Sequence, residues 1–236
     1  MASGHTETMK TAMTVGILGA GQMGQTLARL FLAAGHDVVL ANSRGPASLS
    51  ALVAELGKGA RAGTPAEAVR DGDVVVIATR WEQTAAAVQG LGPFDGKVVI
   101  DTTNNRFGPG PKDIVDLGDL TSSEAVAALM PGARVVKAFN HQPIPVLGKL
   151  RRPESRYDER QVLFIAGDDA EAKKVVAGLI RDIGGEPMDT GTLRDGGKLQ
   201  GTGGPLAGYN RLLSVSEASE LLRHLGVGAP ELGTRG

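Results

Sequence analysis

The chain has 236 residues, no cysteine and a formal net charge of −1, with 42% apolar but only 3% aromatic residues. That length suits one large domain, or one domain with a small appendage. Without a thiol there are no disulfides, thiolate metal sites or cysteine catalysis, and the balanced charge leaves no footprint for nucleic acid. The four histidines lack metal-ligand spacing and no apolar run reaches membrane-span length, so the expectation is a cytoplasmic protein with no metal, nucleic-acid or membrane partner.

Residues 1–11 lack a signal-peptide apolar region and read as a disordered tail. The apolar run Thr14-Val15-Gly16-Ile17-Leu18 then reads as a strand, followed by Gly19-Ala20-Gly21-Gln22-Met23-Gly24 and a helical pattern in which Met23, Leu27, Leu30, Phe31 and Ala34 share a face. Strand, glycine turn and helix in that order make a dinucleotide pyrophosphate site. Gly19 permits the tight turn, Gly21 lets backbone approach the phosphates, and Gly24 lets helix and strand pack closely. Unpaired N–H groups and the positive dipole end at the helix start suit the anion.

The next strand, His36 to Ala41, ends in Asn42-Ser43-Arg44. An NAD site places a carboxylate there for the ribose 2′-hydroxyl, whereas a cation suits the 2′-phosphate of NADP. No carboxylate stands at this strand end, and the planar fork of Arg44 matches a phosphate, so NADP(H) is the expected cofactor.

Leu49, Leu52, Val53 and Leu56 mark an amphipathic helix, followed by a short strand at Ala60–Ala62 and a capped helix at Thr64-Pro65-Ala66-Glu67. Val74 to Ala78 is a β-branched run typical of a parallel strand covered on both faces. Helix Glu82–Gln89, strand Lys97–Asp101, a second capping box at Thr121–Glu124, strand Ala133–Phe139, strand Gln161–Ala166 and a helix with Val176, Leu179 and Ile180 continue the alternation. Asp168-Asp169 reads as that helix's start rather than a metal site, and Trp81 as packing.

The alternation predicts an α/β fold, a doubly wound parallel sheet of the Rossmann type over 12–191 with a small C-terminal helical segment over 192–236. Two stretches interrupt it. Asn104–Leu120, rich in glycine and proline, is a long loop at a strand's carboxyl end and reads either as a lid or as variable surface. Gly196–Gly208 is a glycine-rich passage before a last helix carrying Leu212, Leu213, Leu221, Leu222 and Leu225. That helix packs on the sheet or, by preference, joins a homodimer.

The fingerprint, the Asn42-Ser43-Arg44 strand end, Ala78-Thr79-Arg80-Trp81, Val135-Val136-Lys137-Ala138-Phe139-Asn140, Ile165 to Ala170 and Pro187 to Gly191 together resemble the coenzyme F-420-dependent NADP reductases. They are equally similar to the NADPH domain of the related metalloreductases, over about residues 12 to 200. The resemblance implies a Rossmann domain that binds NADP(H) and passes hydride to or from a small-molecule acceptor, a deazaflavin (coenzyme F-420) or a flavin (FMN or FAD). It implies that Gly19, Ala20, Gly21, Gln22, Met23 and Gly24 hold the pyrophosphate, with Asn42, Ser43 and Arg44 at the 2′-phosphate. Thr79 and Arg80 would line the dinucleotide, and Ala138, Phe139 and Asn140 would lie near the nicotinamide.

The chain departs from the family pattern at Gly45, where relatives place a second basic or polar residue, and at His141 and Gln142, where they commonly have threonine and isoleucine. Asn140 and His141 are the candidates for orienting the acceptor, with His141 as proton donor if the acceptor is an imine or a ketone. The alternatives are therefore a reductase of small imines or carbonyls, and a binding module that senses NADP(H) without turning it over.

Overall fold

Six runs rich in β-branched and aliphatic residues are covered on both faces, and they become the interior of one sheet. A computed structural model describes residues 12–150, 160–208 and 211–228. The expected N-terminal tail, 1–11, lies outside the described residues, as does 229–236 of the C-terminal segment. The elements are β1 (Thr14–Leu18), α1 (Gln22–Ala33), β2 (Asp37–Ala41), α2 (Ser50–Leu56), β3 (Ala60–Ala62), α3 (Pro65–Asp71), β4 (Val74–Ile77) and α4 (Trp81–Val88). There follow β5 (Val98–Asp101), α5 (Ser122–Ala128), β6 (Arg134–Ala138), α6 (Ile144–Leu147), β7 (Gln161–Gly167), α7 (Ala170–Asp182), β8 (Gly185–Asp189), α8 (Asp195–Gln200) and α9 (Val215–His224).

The eight strands form a single sheet in the order β3-β2-β1-β4-β5-β6-β7-β8. Alternation along each central strand divides the core into two layers. Val15 and Ile17 of β1 and Val74 and Val76 of β4 face Leu27, Phe31, Val176 and Ile180 of α1 and α7. Leu18, Val75 and Ile77 face Val69, Val88 and Val126 of α3, α4 and α5. Side chains of this size each contribute about 1.5–3 kcal/mol on burial, so both layers stabilise the frame that carries the loops. Both predicted capping boxes form, Thr64 with Glu67 on α3 and Thr121 with Glu124 on α5.

Three expectations require correction. The sheet is not wholly parallel, because β7 runs antiparallel to β6 while the remaining neighbours are parallel. Strand direction leaves no trace here, since β7 is buried on both faces and lacks the one-sided alternation that marks many antiparallel strands. Second, β8 and α8 were not read from the sequence. Pro187 argues against a central strand, but β8 is an edge, where a missing N–H is tolerated. The first five residues of the glycine-rich passage, 196–200, likewise lie in helix α8.

Third, Leu212 and Leu213 precede α9, whose N-cap is Ser214. The Leu213 carbonyl accepts from the Val162 amide at 2.8 Å, so this segment continues the ladder beside β7 beyond the end of β6. Ala218 and Leu222 of α9 are buried with Val162, Phe164 and Met188 of β7 and β8, and Leu221 and Leu225 pack against the same cluster. The leucines are thus used within the chain, on the sheet. The Asn104–Leu120 stretch carries local order, with an antiparallel bridge between Arg106 and Ile114.

Candidate functional site

The glycine turn is built as the motif requires. Gly19 has φ of +113°, and a Cβ there would lie 2.5 Å from the Ala78 carbonyl oxygen. A Cβ on Gly24 would lie 1.9 Å from the Gly19 carbonyl oxygen, so α1 can approach β1 only with glycine at that position. Gly21 has open space around it and no side chain caps α1, which leaves the first-turn amides free for an anion.

From this turn a cavity of about 810 Å³ runs across the carboxyl ends of β1, β2 and β4, lined by Gly19, Ala20, Gly21, Asn42, Ser43, Arg44, Thr79 and Arg80 and by the α4 face at Gln83 and Ala86. At its far end the loop after β2 is held from beneath. Asn42 Oδ1 accepts from the Arg44 amide at 2.9 Å, Asn42 Nδ2 donates to Ser48 Oγ at 3.0 Å, and Ser48 Oγ donates to the Gly45 carbonyl at 2.8 Å. This pre-shapes the turn while Ser43 and Arg44 stay exposed at its tip. The Arg44 guanidinium has no side-chain partner among the described residues. On the opposite wall Thr79 Oγ1 and Thr84 Oγ1 share a hydrogen bond of 2.9 Å at the start of α4.

Not every residue expected at the site lines this cavity. Met23 and Gly24 sit within α1, Gln22 lines a separate groove, and Ala138, Phe139 and Asn140 lie at the end of β6 outside the cavity wall. Phe139 is buried with φ of +65°, the one positive value at a non-glycine among the described residues, and its ring meets Phe31 edge-on at 6.4 Å. Left-handed backbone at such a residue is strained, and only packing from all sides holds it. Asn140 follows as a clip: its Nδ2 donates to the Gln200 carbonyl at 2.7 Å and to Asn104 Oδ1 at 3.1 Å, while Asn104 Nδ2 donates to the Asn140 carbonyl at 3.0 Å. One side chain thereby ties β6, the base of the long loop and α8 together.

His141 is buried, with its ring 5.2 Å from that of Phe164, and its Nε2 accepts from the Phe164 amide at 3.4 Å. In the orientation that satisfies its neighbours, the Gln200 amide donates to the Phe164 carbonyl at 3.2 Å. Two side chains thus replace a strand partner where β6 has ended. Burial, reinforced by the charge of Lys137, pushes the His141 pKa down to about 3. The ring is therefore neutral at physiological pH, and a buried neutral imidazole is a weak proton donor.

Sequence reasoning missed Lys137. It is fully buried on β6, with Nζ 2.9 Å from Ser122 Oγ, 3.0 Å from Ser123 Oγ, 3.1 Å from the Thr103 carbonyl and 3.4 Å from Asp101 Oδ2, and Ser123 Oγ donates to Asp101. Burial lowers the lysine's pKa and Asp101 opposes that shift. The register pairs Asp101 with Lys137 across β5 and β6. A lysine flanked by Val136 and Ala138 in a covered strand, opposite an aspartate ending the neighbouring strand, was the available signal.

A sequence profile described as NADP oxidoreductase, coenzyme F420-dependent, matches residues 14–105, from β1 past the end of β5. Over that stretch, somewhat less than half of its length, the chain is similar to this family. The F420-dependent NADP reductase of Methanocaldococcus jannaschii is 29% identical over 132 residues, 54% of this chain and 57% of that protein. Metalloreductase STEAP3 of Rattus norvegicus is 31% identical over 187 residues, 79% of this chain and 36% of that protein. The chain thus spans little more than half the length of one curated relative and about a third of the other. Among solved structures, hypothetical protein SMa0349 of Sinorhizobium meliloti superposes with a TM-score of 0.76 at 37% identity, covering 86% of this chain and 97% of that one. Among the described residues no helix is long and apolar enough to cross a membrane.

Proposed function

We propose that this chain binds NADP(H) in the cavity over β1, β2 and β4 and passes hydride to or from a deazaflavin or flavin seated beside the nicotinamide. The observation that carries the cofactor reading is the Arg44 guanidinium, without a side-chain partner among the described residues, held on a braced turn at one end of a cavity whose other end is an open glycine turn. When bound, NADPH supplies the transferable hydride. The first-turn amides of α1 hold the pyrophosphate, Ser43 and Arg44 hold the 2′-phosphate, and Thr79 and Arg80 line the dinucleotide between them.

Beyond the dinucleotide, Phe139 and Asn140 fix the end of β6, and the Asn104–Asn140 pair fixes the base of the long loop beside it. Hydride transfer depends on alignment, and positioning alone can lower a barrier by roughly 7–11 kcal/mol. A rigid clip therefore suits the reaction better than an acid or base would. The neutral, buried His141 favours a ring acceptor over an imine or carbonyl, whose reduction needs a proton delivered at the reacting atom. The test is NADPH oxidation followed at 340 nm (roughly the nicotinamide band) with coenzyme F420, FMN, FAD and a panel of cyclic imines. Turnover with a deazaflavin or flavin and not with imines is expected. NADP(H) binding without turnover on any acceptor would leave the sensor reading instead.

A further inference from the structure

A second groove opens beside the glycine turn. About 340 Å³ in volume, it lies between α1 and α6 and is lined by Gln22, Gln25, Thr26 and Arg29 on one side and by Ile144, Pro145, Gly148 and Lys149 on the other. It starts at Gln22, next to Gly21 of the dinucleotide cavity. From Gln22 to Arg29 is two turns of α1, about 10 Å at 1.5 Å per residue. Its lining includes two exposed cations, Arg29 on α1 and Lys149 just after α6. Glu55 holds Arg29 at 2.7 Å, but both partners are about half exposed or more, and exposed pairs of this kind are readily exchanged. Gly148 lines the groove, and a Cβ there would sit in ordinary contact 3.9 Å from Thr26 Cγ2, so a longer side chain at this position would extend between the two walls.

We infer that this groove receives the anionic side chain of the hydride acceptor, with a phosphate or carboxylate placed against Arg29 and Lys149 while the ring stays beside the nicotinamide. The inference rests on the proposed hydride transfer and adds the acceptor's chemistry: a planar ring bearing a negatively charged tail about two helical turns long. Ile144 and Pro145 offer an apolar wall to the linker carbons, and Gln22, Gln25 and Thr26 offer hydrogen bonds to its hydroxyl or amide groups. The tail competes with Glu55 for Arg29 and adds Lys149, which has no carboxylate partner among the described residues.

The test compares acceptors that share a ring and differ in the charged tail: FMN against riboflavin, and coenzyme F420 against its phosphate-free deazaflavin chromophore. Binding to the NADP-saturated protein is read by quenching of ring fluorescence, so it does not depend on turnover. The tailed member of each pair is expected to bind roughly tenfold more tightly at low salt, as a charge-assisted phosphate contact provides, and to lose that advantage as salt is raised. The double variant Arg29→Gln/Lys149→Gln should erase the difference while leaving riboflavin and NADP affinity unchanged, and Gly148→Met should do the same by filling the groove. Glu55→Gln, which frees Arg29, should widen the difference. Equal binding of tailed and tailless rings, losses shared equally by both, or binding of none of the four would overturn the inference. Calorimetric NADP binding that survives such a result would leave the cofactor reading intact, whereas its absence would remove both.

Discussion

In the proposed reading, Arg44 carries the choice of dinucleotide through a single side chain. A charge-assisted hydrogen bond is worth about 1.5–3 kcal/mol, so Arg44→Ala should weaken NADP binding roughly 10- to 150-fold and barely change NAD binding. Titration calorimetry with both nucleotides measures this directly, and equal losses would place the 2′-phosphate elsewhere. Asn42 acts on the same site from beneath, because its Oδ1 holds the Arg44 amide and its amide holds Ser48. His141 illustrates a residue whose type was legible and whose role was not. A histidine after a strand offers a titratable ring to any reader of the sequence, yet the Phe164 amide it serves belongs to a strand distant along the chain. Its lowered pKa has a consequence for stability. Between its ordinary value near 6.5 and about 3 the unfolded chain takes up a proton that the folded chain refuses. The contribution is thus complete above about pH 6.5 and falls as pH drops toward 3, by at most about 1.4 kcal/mol per pH unit. Urea unfolding between pH 8 and 4 (roughly the span over which this linkage acts) should show that slope in the wild type. His141→Asn should flatten it.

At the scale of elements, the contact between β5 and β6 concentrates the cost of the site's rigidity. Lys137 joins Asp101, the Thr103 carbonyl and the first turn of α5 in one buried cluster, and so holds the start of the long loop and its neighbour Asn104. Removing one partner of a buried ion pair leaves the other charge uncompensated, at a cost of roughly 3–5 kcal/mol. Lys137→Met should therefore destabilise the protein by about that amount, and adding Asp101→Asn should recover part of it. Denaturant midpoints of the single and double variants measure the coupling. The strands themselves were legible because runs such as Val74 to Ile77 leave no other reading, and the capped helices were legible because Thr64 with Glu67 and Thr121 with Glu124 are local patterns. The direction of β7 was not, since a strand buried on both faces has the same composition whichever way it runs. Nor was α8, whose two glycines at 196 and 197 carry poor helix propensity and whose helix is maintained by contacts with β7 and Thr121.

For the whole molecule, the adenosine end of the candidate site was readable because it is contiguous in sequence: strand, glycine turn, helix, strand and cation all fall within 14–44. The other end is assembled from Asn104, Asn140 and Gln200, far apart along the chain and joined only by the sheet order, so no local pattern could have paired them. That division bears on what a ligand does to the fold. A nucleotide spanning the α1 turn, the β2 loop and the start of α4 binds the native state alone, and at about 100 times its Kd it stabilises by about 2.7 kcal/mol. For a chain of this size that raises the melting temperature by roughly 5–10 °C. NADP should give such a shift in a thermal melt, and NAD at the same concentration a clearly smaller one, because the Arg44 contact is then lost. In Arg44→Ala the two nucleotides should give equal shifts. A wild type that melts at the same temperature with either nucleotide would detach cofactor choice from the β2 loop, whose bracing by Asn42 and Ser48 would then serve the fold alone.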